Sequence, residues 1–196
     1  TYYGTERLTS KLVNIDLSNV NKIGVNAFQN TGIKEIQLLA DQVDIGNGAF
    51  AQCDELLSVN AKKIILSGNG AFGNCTNLTT FICTELQTVP ASSFSLTKSL
   101  KTFQATGITS IGNKAFYASG LEKIALDMKD VTMKSTSFNS SSLNNICYSG
   151  TTEEWKNKGI SLSGVTVHCN MDEQPLKYAT CTEAGEKIYT CGICGH

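Results

Sequence analysis

Six phenylalanines recur at one fixed interval, and this interval limits the folds that the chain can adopt. Each lies 22 positions after the one before it. They are Phe28, Phe50, Phe72, Phe94, Phe116 and Phe138. The best-preserved copies of the surrounding motif read Ile-Gly-x-x-Ala-Phe and end at Phe28, Phe50 and Phe116. A constant step of this size is typical of repeat architectures, in which each repeat is one unit stacked on the next.

Apolar residues also keep fixed places inside each repeat. After the phenylalanine come a small residue, an aliphatic residue and two apolar residues that are separated by one position. In one repeat these are Cys53, Leu56, Val59 and Ala61. The alternating pair predicts a short strand whose two apolar side chains face inward. One such coil cannot bury its own apolar face, so the pattern predicts a leucine-rich repeat solenoid with a parallel sheet.

The repeat also resembles a known family. The pattern Ile-Gly-x-x-Ala-Phe-x-x-Cys-x-x-Leu-x-x-Val, best preserved at residues 45–59 and 68–81, resembles the BspA-type leucine-rich repeat of bacterial surface proteins. That repeat also occurs in some protozoa. The resemblance covers about residues 9–169 and implies a right-handed stack of 22-residue coils, with a parallel sheet on one face and short helical turns on the other. It departs from the pattern at Ser67 and Lys134, where we expect irregular coils.

Each Ala-Phe pair is expected in one of the helical turns, with the ring pointing into the core. Glycines precede these turns, and we expect them at tight corners, which glycine suits. They are Gly24, Gly46, Gly68 and Gly112.

The solenoid is predicted over residues 1–169, with a partial first coil and a closing cap at residues 147–169. In the cap, Thr151 or Thr152 is expected to begin a helix, because a threonine hydroxyl can accept a hydrogen bond from a free N–H group of the first turn. Trp155 is expected to cover the last coil. Val165 and Val167 predict one final strand.

Residues 170–196 have no repeat phase and are predicted to form a small cysteine-rich tail. The stretch Ala179–His196 resembles tail modules of secreted Firmicutes proteins. Cys191-x-x-Cys194 has the spacing of a zinc knuckle, and Cys181 would be a third ligand. A structural zinc ion held in a hairpin, a disulfide with one thiol left over, and free cysteines all stay open as alternatives. The candidates for a fourth zinc ligand are His168, Cys169 and His196.

Four further cysteines lie in or next to the repeats. Cys53, Cys75 and Cys83 fill small or apolar core positions, which predicts packed thiols. Cys147 lies between two inward-facing residues of a strand, so we expect it to face outward as an exposed thiol. A disulfide or a contact with a partner is the alternative for Cys147.

Several function classes are excluded by charge and motif. The net charge of −1 provides no basic stripe for nucleic acid. No apolar run approaches the roughly 18 residues that a spanning helix requires, so no membrane span is expected. No Gly-x-Ser-x-Gly, P-loop or HExxH motif is present, so we expect a protein that is not an enzyme.

The candidate site is the open face, which we define by the strand residues that alternate with the core residues. Most of its members are short, polar and uncharged. They are Asn14, Asp16, Glu35, Gln37, Ser58, Asn60, Thr80, Ile82, Thr102, Gln104, Lys123, Ala125, Asn145 and Cys147. Curved sheets of this kind commonly bind other macromolecules, although the plain alternative is a solvated sheet face.

The family resemblance implies a non-enzymatic, extracellular or cell-surface module that binds host or bacterial surface proteins, as in adhesion. A rigid structural spacer that displays other domains of a longer surface protein is the second hypothesis. A glycan-binding accessory module is the third.

Overall fold

The computed structural model of the protein describes residues 15–169, and short parallel strands recur in its coils. The strands are β1 (Lys22–Ile23), β2 (Glu35–Leu38), β3 (Val43–Ile45), β4 (Ser58–Leu66), β5 (Thr80–Glu85), β6 (Thr88–Val89), β7 (Thr102–Thr106), β8 (Ser110–Ile111), β9 (Lys123–Leu126), β10 (Asn145–Tyr148) and β11 (Thr166–His168). A 3-10 helix covers Ser135–Phe138, and one α-helix, α1, covers Thr152–Asn157.

The open face is built from two parallel ladders. Strands β2, β4, β5 and β7 pair in that order, and β9, β10 and β11 form the second ladder. No strand pairing joins β7 to β9, so the ladder is interrupted at that point. On the neighbouring side of each coil, β1, β3 and the end of β4 pair with one another, as do β6 and β8. The parallel-sheet solenoid that the repeat predicted is therefore confirmed.

The six phenylalanines form one internal column. Successive rings lie 5.3 to 5.5 Å apart between centroids, with interplanar angles of 3 to 12°. Four of them are fully buried, whereas Phe28 at one end is half-buried. Phe81 and Phe103 pack edge-on against this column at 4.8 to 5.5 Å. The inward-facing strand pairs are also buried, so the sequence pattern located the core correctly.

The expectation of helical turns is wrong for most coils in the described range. The Ala-Phe segments are tight turns, and only Ser135–Phe138 is helical among them. The N–H of Phe28 donates to the carbonyl of Ala49 at 2.8 Å, and the N–H of Asn30 donates to that of Ala51 at 2.9 Å. These donors therefore bond to the next coil instead of along a helix axis.

Backbone conformation also prevents a helix in these turns. In the turns around Phe28, Phe50, Phe72, Phe94 and Phe116, two positions four residues apart have a positive φ. An α-helix cannot include left-handed residues. The first series is Asn26, Gly48, Gly70, Ser92 and Lys114, and the second is Asn30, Gln52, Asn74, Leu96, Ala118 and Ser140.

The corner glycines are needed for close stacking. Gly46, Gly68 and Gly112 do not have a positive φ. A Cβ on Gly68 would lie 2.4 Å from the backbone nitrogen of Asn47, and one on Gly112 would lie 2.6 Å from that of Ala91. Neighbouring coils approach too closely at these corners for any side chain.

The two coils that depart from the repeat pattern remain hydrogen-bonded to the stack. Ser67 donates from its N–H and its hydroxyl to the carbonyl of Ile45, at 3.0 and 3.2 Å. The N–H of Lys134 donates to the hydroxyl of Ser137 at 3.2 Å, at the start of the 3-10 helix. Polar side chains thus hold these coils where the usual apolar residue or glycine is missing.

The closing cap has the predicted arrangement. The Thr151 hydroxyl accepts the N–H of Glu154 at 3.1 Å, and the Glu154 carboxylate accepts the N–H of Thr151 at 2.7 Å. This reciprocal capping box fixes the start of α1. Trp155 is buried, and its ring meets Tyr148 edge-on at 5.3 Å. The last strand, β11, pairs with β10.

The predictions for the cysteines are confirmed at three positions and wrong at a fourth. Cys53, Cys75 and Cys83 are buried free thiols, as expected. Cys147 is only 1% exposed and is disulfide-bonded, so the expectation of an exposed thiol is wrong. The zinc and disulfide hypotheses for the tail cysteines fall outside residues 15–169, as do Asn14 and the part of the first coil before Ile15. These tail cysteines are Cys181, Cys191 and Cys194.

Candidate binding face

In-register pairing arranges the open face as two parallel rows of side chains. Since equivalent residues of neighbouring strands are partners, each row crosses the coils at a right angle to the strands. The first row is Glu35, Ser58, Thr80 and Thr102, continued after the interruption by Lys123, Asn145 and Thr166. The second is Gln37, Asn60, Ile82 and Gln104, continued by Ala125, Cys147 and His168.

The face is accessible over β2, β4, β5 and β7. Gln37, Asn60 and Gln104 are exposed, whereas Thr80 and Thr102 are half-buried. Glu35 and Lys123 are exposed and supply the only charges in the two rows within the described range. Amide and hydroxyl groups on this surface can both donate and accept hydrogen bonds. A ligand that fits it would therefore be held by neutral hydrogen bonds along several coils.

The predicted residue Asp16 lies before the first strand. Its carboxylate accepts the N–H of Ser18 at 2.9 Å, and hydrogen bonds from the Ser18 hydroxyl and backbone lower the pKa of Asp16. Asp16 is exposed, but it is in no strand and does not extend either row.

The accessible face ends earlier than the sequence predicted. Ala125 is 8% exposed and Cys147 is 1% exposed, although both belong to the outward-facing set. Thr166 and His168 of β11 extend the two rows, although neither was predicted to lie on the face. The Nε2 atom of His168 lies 2.9 Å from the side-chain amide oxygen of Asn145. The alternation of Val165 and Val167 with these two residues was the signal that could have placed them.

Ion pairs link adjacent coils along the sides of the face. The Lys62 ammonium lies 2.5 Å from the Asp41 carboxylate, and that of Lys101 lies 2.6 Å from Glu122. The lysine hydrogen bond is the largest cause that lowers the pKa of Asp41 and of Glu122. Exposed pairs of this kind add little stability.

Beside the face lies a cleft of about 390 Å³, where β4 and β5 end. Its lining includes Ile65, Lys63 and Glu85. The Lys63 ammonium nitrogen lies 2.7 Å from a carboxylate oxygen of Glu85.

Residues 15–169 contain neither a cluster of metal-binding side chains nor a membrane-spanning helix. No three histidine, cysteine or carboxylate side chains there come together in a group that could hold a metal ion. In the same range, none of the helices has the length and apolar character that crossing a lipid bilayer requires.

Comparison with known proteins agrees with this architecture. A solved leucine-rich repeat protein from Bacteroides ovatus has the same fold, with a TM-score of 0.54 and 17% sequence identity. The match covers 78% of this chain and 46% of that one, so the chain spans about half the length of that relative. A search of curated proteins found no match.

A family model for the BspA-type leucine-rich repeat region, with six copies, matches residues 4–107 and 68–173. Together these segments include every coil of the described solenoid and its cap. The chain therefore belongs to the BspA-type leucine-rich repeat family.

Proposed function

We propose that this protein is a non-enzymatic binding module of a bacterial surface protein, which attaches to proteins of a host or of other cells through its open face. The observation that carries the proposal is the accessible part of that face, four in-register strands wide. Family membership supports an interaction role, because leucine-rich repeats present extended sheet surfaces to other proteins.

The chemistry of the face favours a broad contact of modest strength. Its exposed centre consists of Asn60, Gln37 and Gln104, with the half-buried Ile82 between them. No aromatic side chain lies in the described part of the two rows, and aromatic anchors are the usual source of high affinity. Affinity would therefore come from many hydrogen bonds and from several coils acting together.

A rigid structural spacer is the second candidate, and the internal column favours it. The phenylalanine rings stack without a gap from Phe28 to Phe138, so each coil is held firmly by its neighbours. Such a stack can hold other domains at a fixed separation, whether or not its face binds anything.

The test is a binding screen with one face variant and one matched control. Purified protein is presented to immobilised matrix proteins, to bacterial surface proteins and to a glycan array. Asn60→Arg places a long charged side chain in the centre of the face, whereas Asn113→Arg makes the same change on an exposed turn. We expect protein ligands to be retained at least tenfold less by Asn60→Arg and equally by Asn113→Arg.

The other outcomes separate the alternatives. Binding to glycans alone, lost in Asn60→Arg, would support a glycan-binding accessory module. No binding to any surface, together with a rigid monomer in small-angle scattering, would support the spacer. Unchanged protein binding by Asn60→Arg would show that the open face is not the site.

A further inference from the structure

Two buried thiols occupy the same position in neighbouring coils. Cys53 and Cys75 are 22 residues apart, and the coils that carry them are held in register by the N–H of Gln52, which donates to the carbonyl of Gly73 at 2.8 Å. The rings of Phe50 and Phe72, three residues earlier in each coil, are 5.5 Å apart. Disulfides form when the two Cα atoms are roughly 4.4 to 6.8 Å apart. The spacing of the coils therefore falls in the range that a disulfide needs.

The two sulfur atoms also point the same way. Cys53 donates to the carbonyl of Phe28 at 3.0 Å, and Cys75 donates to the carbonyl of Phe50 at 3.0 Å. Each thiol is thus directed toward the preceding coil, which aims Cys75 at the coil that contains Cys53. The Cys53 sulfur also lies 3.3 Å from the hydroxyl oxygen of Thr31, and both cysteines are fully buried.

This arrangement differs from that of the other free thiols. Cys83 donates to the carbonyl of Glu85 at 3.1 Å, and Cys169 is half-buried in the cap. No group of three metal-binding side chains occurs within residues 15–169. A pair of thiols without a third ligand is better suited to oxidation than to zinc, which takes four ligands.

The two thiols are also unequal, which favours a stepwise oxidation. The hydrogen bond with Cys75, followed by that with Thr31, lowers the pKa of Cys53. The hydrogen bond with Cys53, together with burial, raises the pKa of Cys75. Cys53 is therefore the first to lose its proton, and the thiolate is the form of cysteine that reacts.

We propose that Cys53 and Cys75 form a redox site, which a peroxide oxidises to a disulfide that joins two adjacent coils. The Cys53 thiolate attacks one oxygen of hydrogen peroxide and breaks the O–O bond; the departing hydroxide takes up a proton to form water. The product is a sulfenic acid on Cys53. The Cys75 sulfur then attacks that sulfur and displaces hydroxide, which takes the Cys75 proton and becomes the second water. In total, two thiols and one peroxide give one disulfide and two waters.

Peroxide is the appropriate oxidant because of burial. A bulky disulfide oxidant would have to reach a sulfur that is closed to solvent, whereas a molecule the size of peroxide needs only a small opening of the coils. The disulfide would close a loop of one coil and restrict the unfolded chain, which raises the thermal midpoint.

The experiment is peptide mapping of the full chain before and after treatment with hydrogen peroxide. Remaining thiols are blocked, the protein is digested, and mass spectrometry locates linked peptides. We expect a peptide pair that contains Cys53 and Cys75 and lacks two hydrogens relative to the reduced pair. The thermal midpoint of the treated protein should rise by several degrees.

Two variants test the assignment. Cys53→Thr restores the residue that Thr31 and Thr97 supply at the same position of other coils, and it should abolish both the link and the rise in midpoint. Cys83→Ala removes a buried thiol outside the pair and should retain both. Blocked thiols at Cys53 and Cys75 after peroxide treatment would overturn the proposal. A sulfinic acid on Cys53 without a link, or a link from either residue to another cysteine, would do so as well.

Discussion

Glycine is favoured at two kinds of position in this solenoid, for two different physical reasons. Gly48 and Gly70 have a positive φ, which L-residues adopt at a cost. Gly68 has no such φ, yet a side chain there would collide with the backbone of Asn47. The sequence predicted glycine at corners but could not tell these reasons apart, because the second depends on the distance between coils.

Replacing Gly68 by alanine should therefore destabilise the protein. The added Cβ would lie 2.4 Å from a backbone nitrogen that cannot move without shifting a coil, and such overpacking costs about 1 to 3 kcal/mol. The matched control is Gly24→Ala, which has the same place in another coil and nothing within 4 Å of its added Cβ. There we expect no loss, or a gain of about 0.4 to 1 kcal/mol from a less flexible unfolded chain. Urea unfolding of both variants measures the difference, and equal losses would contradict the argument.

Residues facing the core could be predicted from the sequence, whereas burial on the open face could not. Phe94 and Val59 repeat with a period that only a stacked core explains. Cys147 has the alternation of an outward-facing residue, and its side chain is nevertheless buried. The alternation of apolar and polar residues along a strand predicts which side of the sheet a residue faces. It does not predict whether another part of the chain covers that side.

At the scale of elements, hydrogen bonds between coils explain why turns replaced the expected helices. An Ala-Phe turn of about six residues gains little from helical bonds, since nucleation of a helix is costly. The same N–H groups reach carbonyls of the next coil at 2.7 to 3.1 Å. The sequence predicts that these bonds recur once per repeat. It does not show whether each N–H group bonds to a carbonyl of its own turn or to one of the next coil.

The capping box of α1 leads to a prediction about pH. The N–H of Thr151 donates to the Glu154 carboxylate, and this bond is the largest cause that lowers the pKa of Glu154 from its ordinary 4.5. A carboxylate whose pKa is lowered by folding stabilises the protein fully above the unfolded value, and this contribution is lost as the pH falls through the folded value. Glu154→Gln should thus have a lower thermal midpoint than the parent at pH 7, and the two midpoints should converge below about pH 4.5. A difference that stays constant from pH 7 to pH 3 would contradict this assignment.

At the scale of the whole molecule, one core cluster runs from Leu17 to Trp155. Repeat arrays are stabilised by contacts between neighbours, so a defect in the middle weakens the coils on both sides. Trp155 is the one tryptophan in the sequence and lies in the cap, packed against Tyr148. Its fluorescence therefore reports on the far end of the array.

Phe94→Ala should lower the stability of the entire described stack by about 3 to 5 kcal/mol, as expected for an aromatic core residue. The Phe94 ring contacts four others in the column and beside it, at 4.8 to 5.4 Å. We expect the unfolding midpoints from Trp155 fluorescence and from far-UV circular dichroism to fall together. Phe28→Ala, at the half-buried end of the column, should have a smaller effect. If only the circular dichroism midpoint moved, the array would consist of independently folding parts.

The unchanging 22-residue step has a genetic consequence. Because each ring stacks only on its neighbours, deletion or duplication of a gene segment that encodes one whole coil would leave the remaining rings aligned. The periodic packing of the core would be preserved after such an exchange, while the open face would gain or lose one pair of side chains. The protein can therefore change the length and composition of its outward surface through recombination, without having to evolve a new interior.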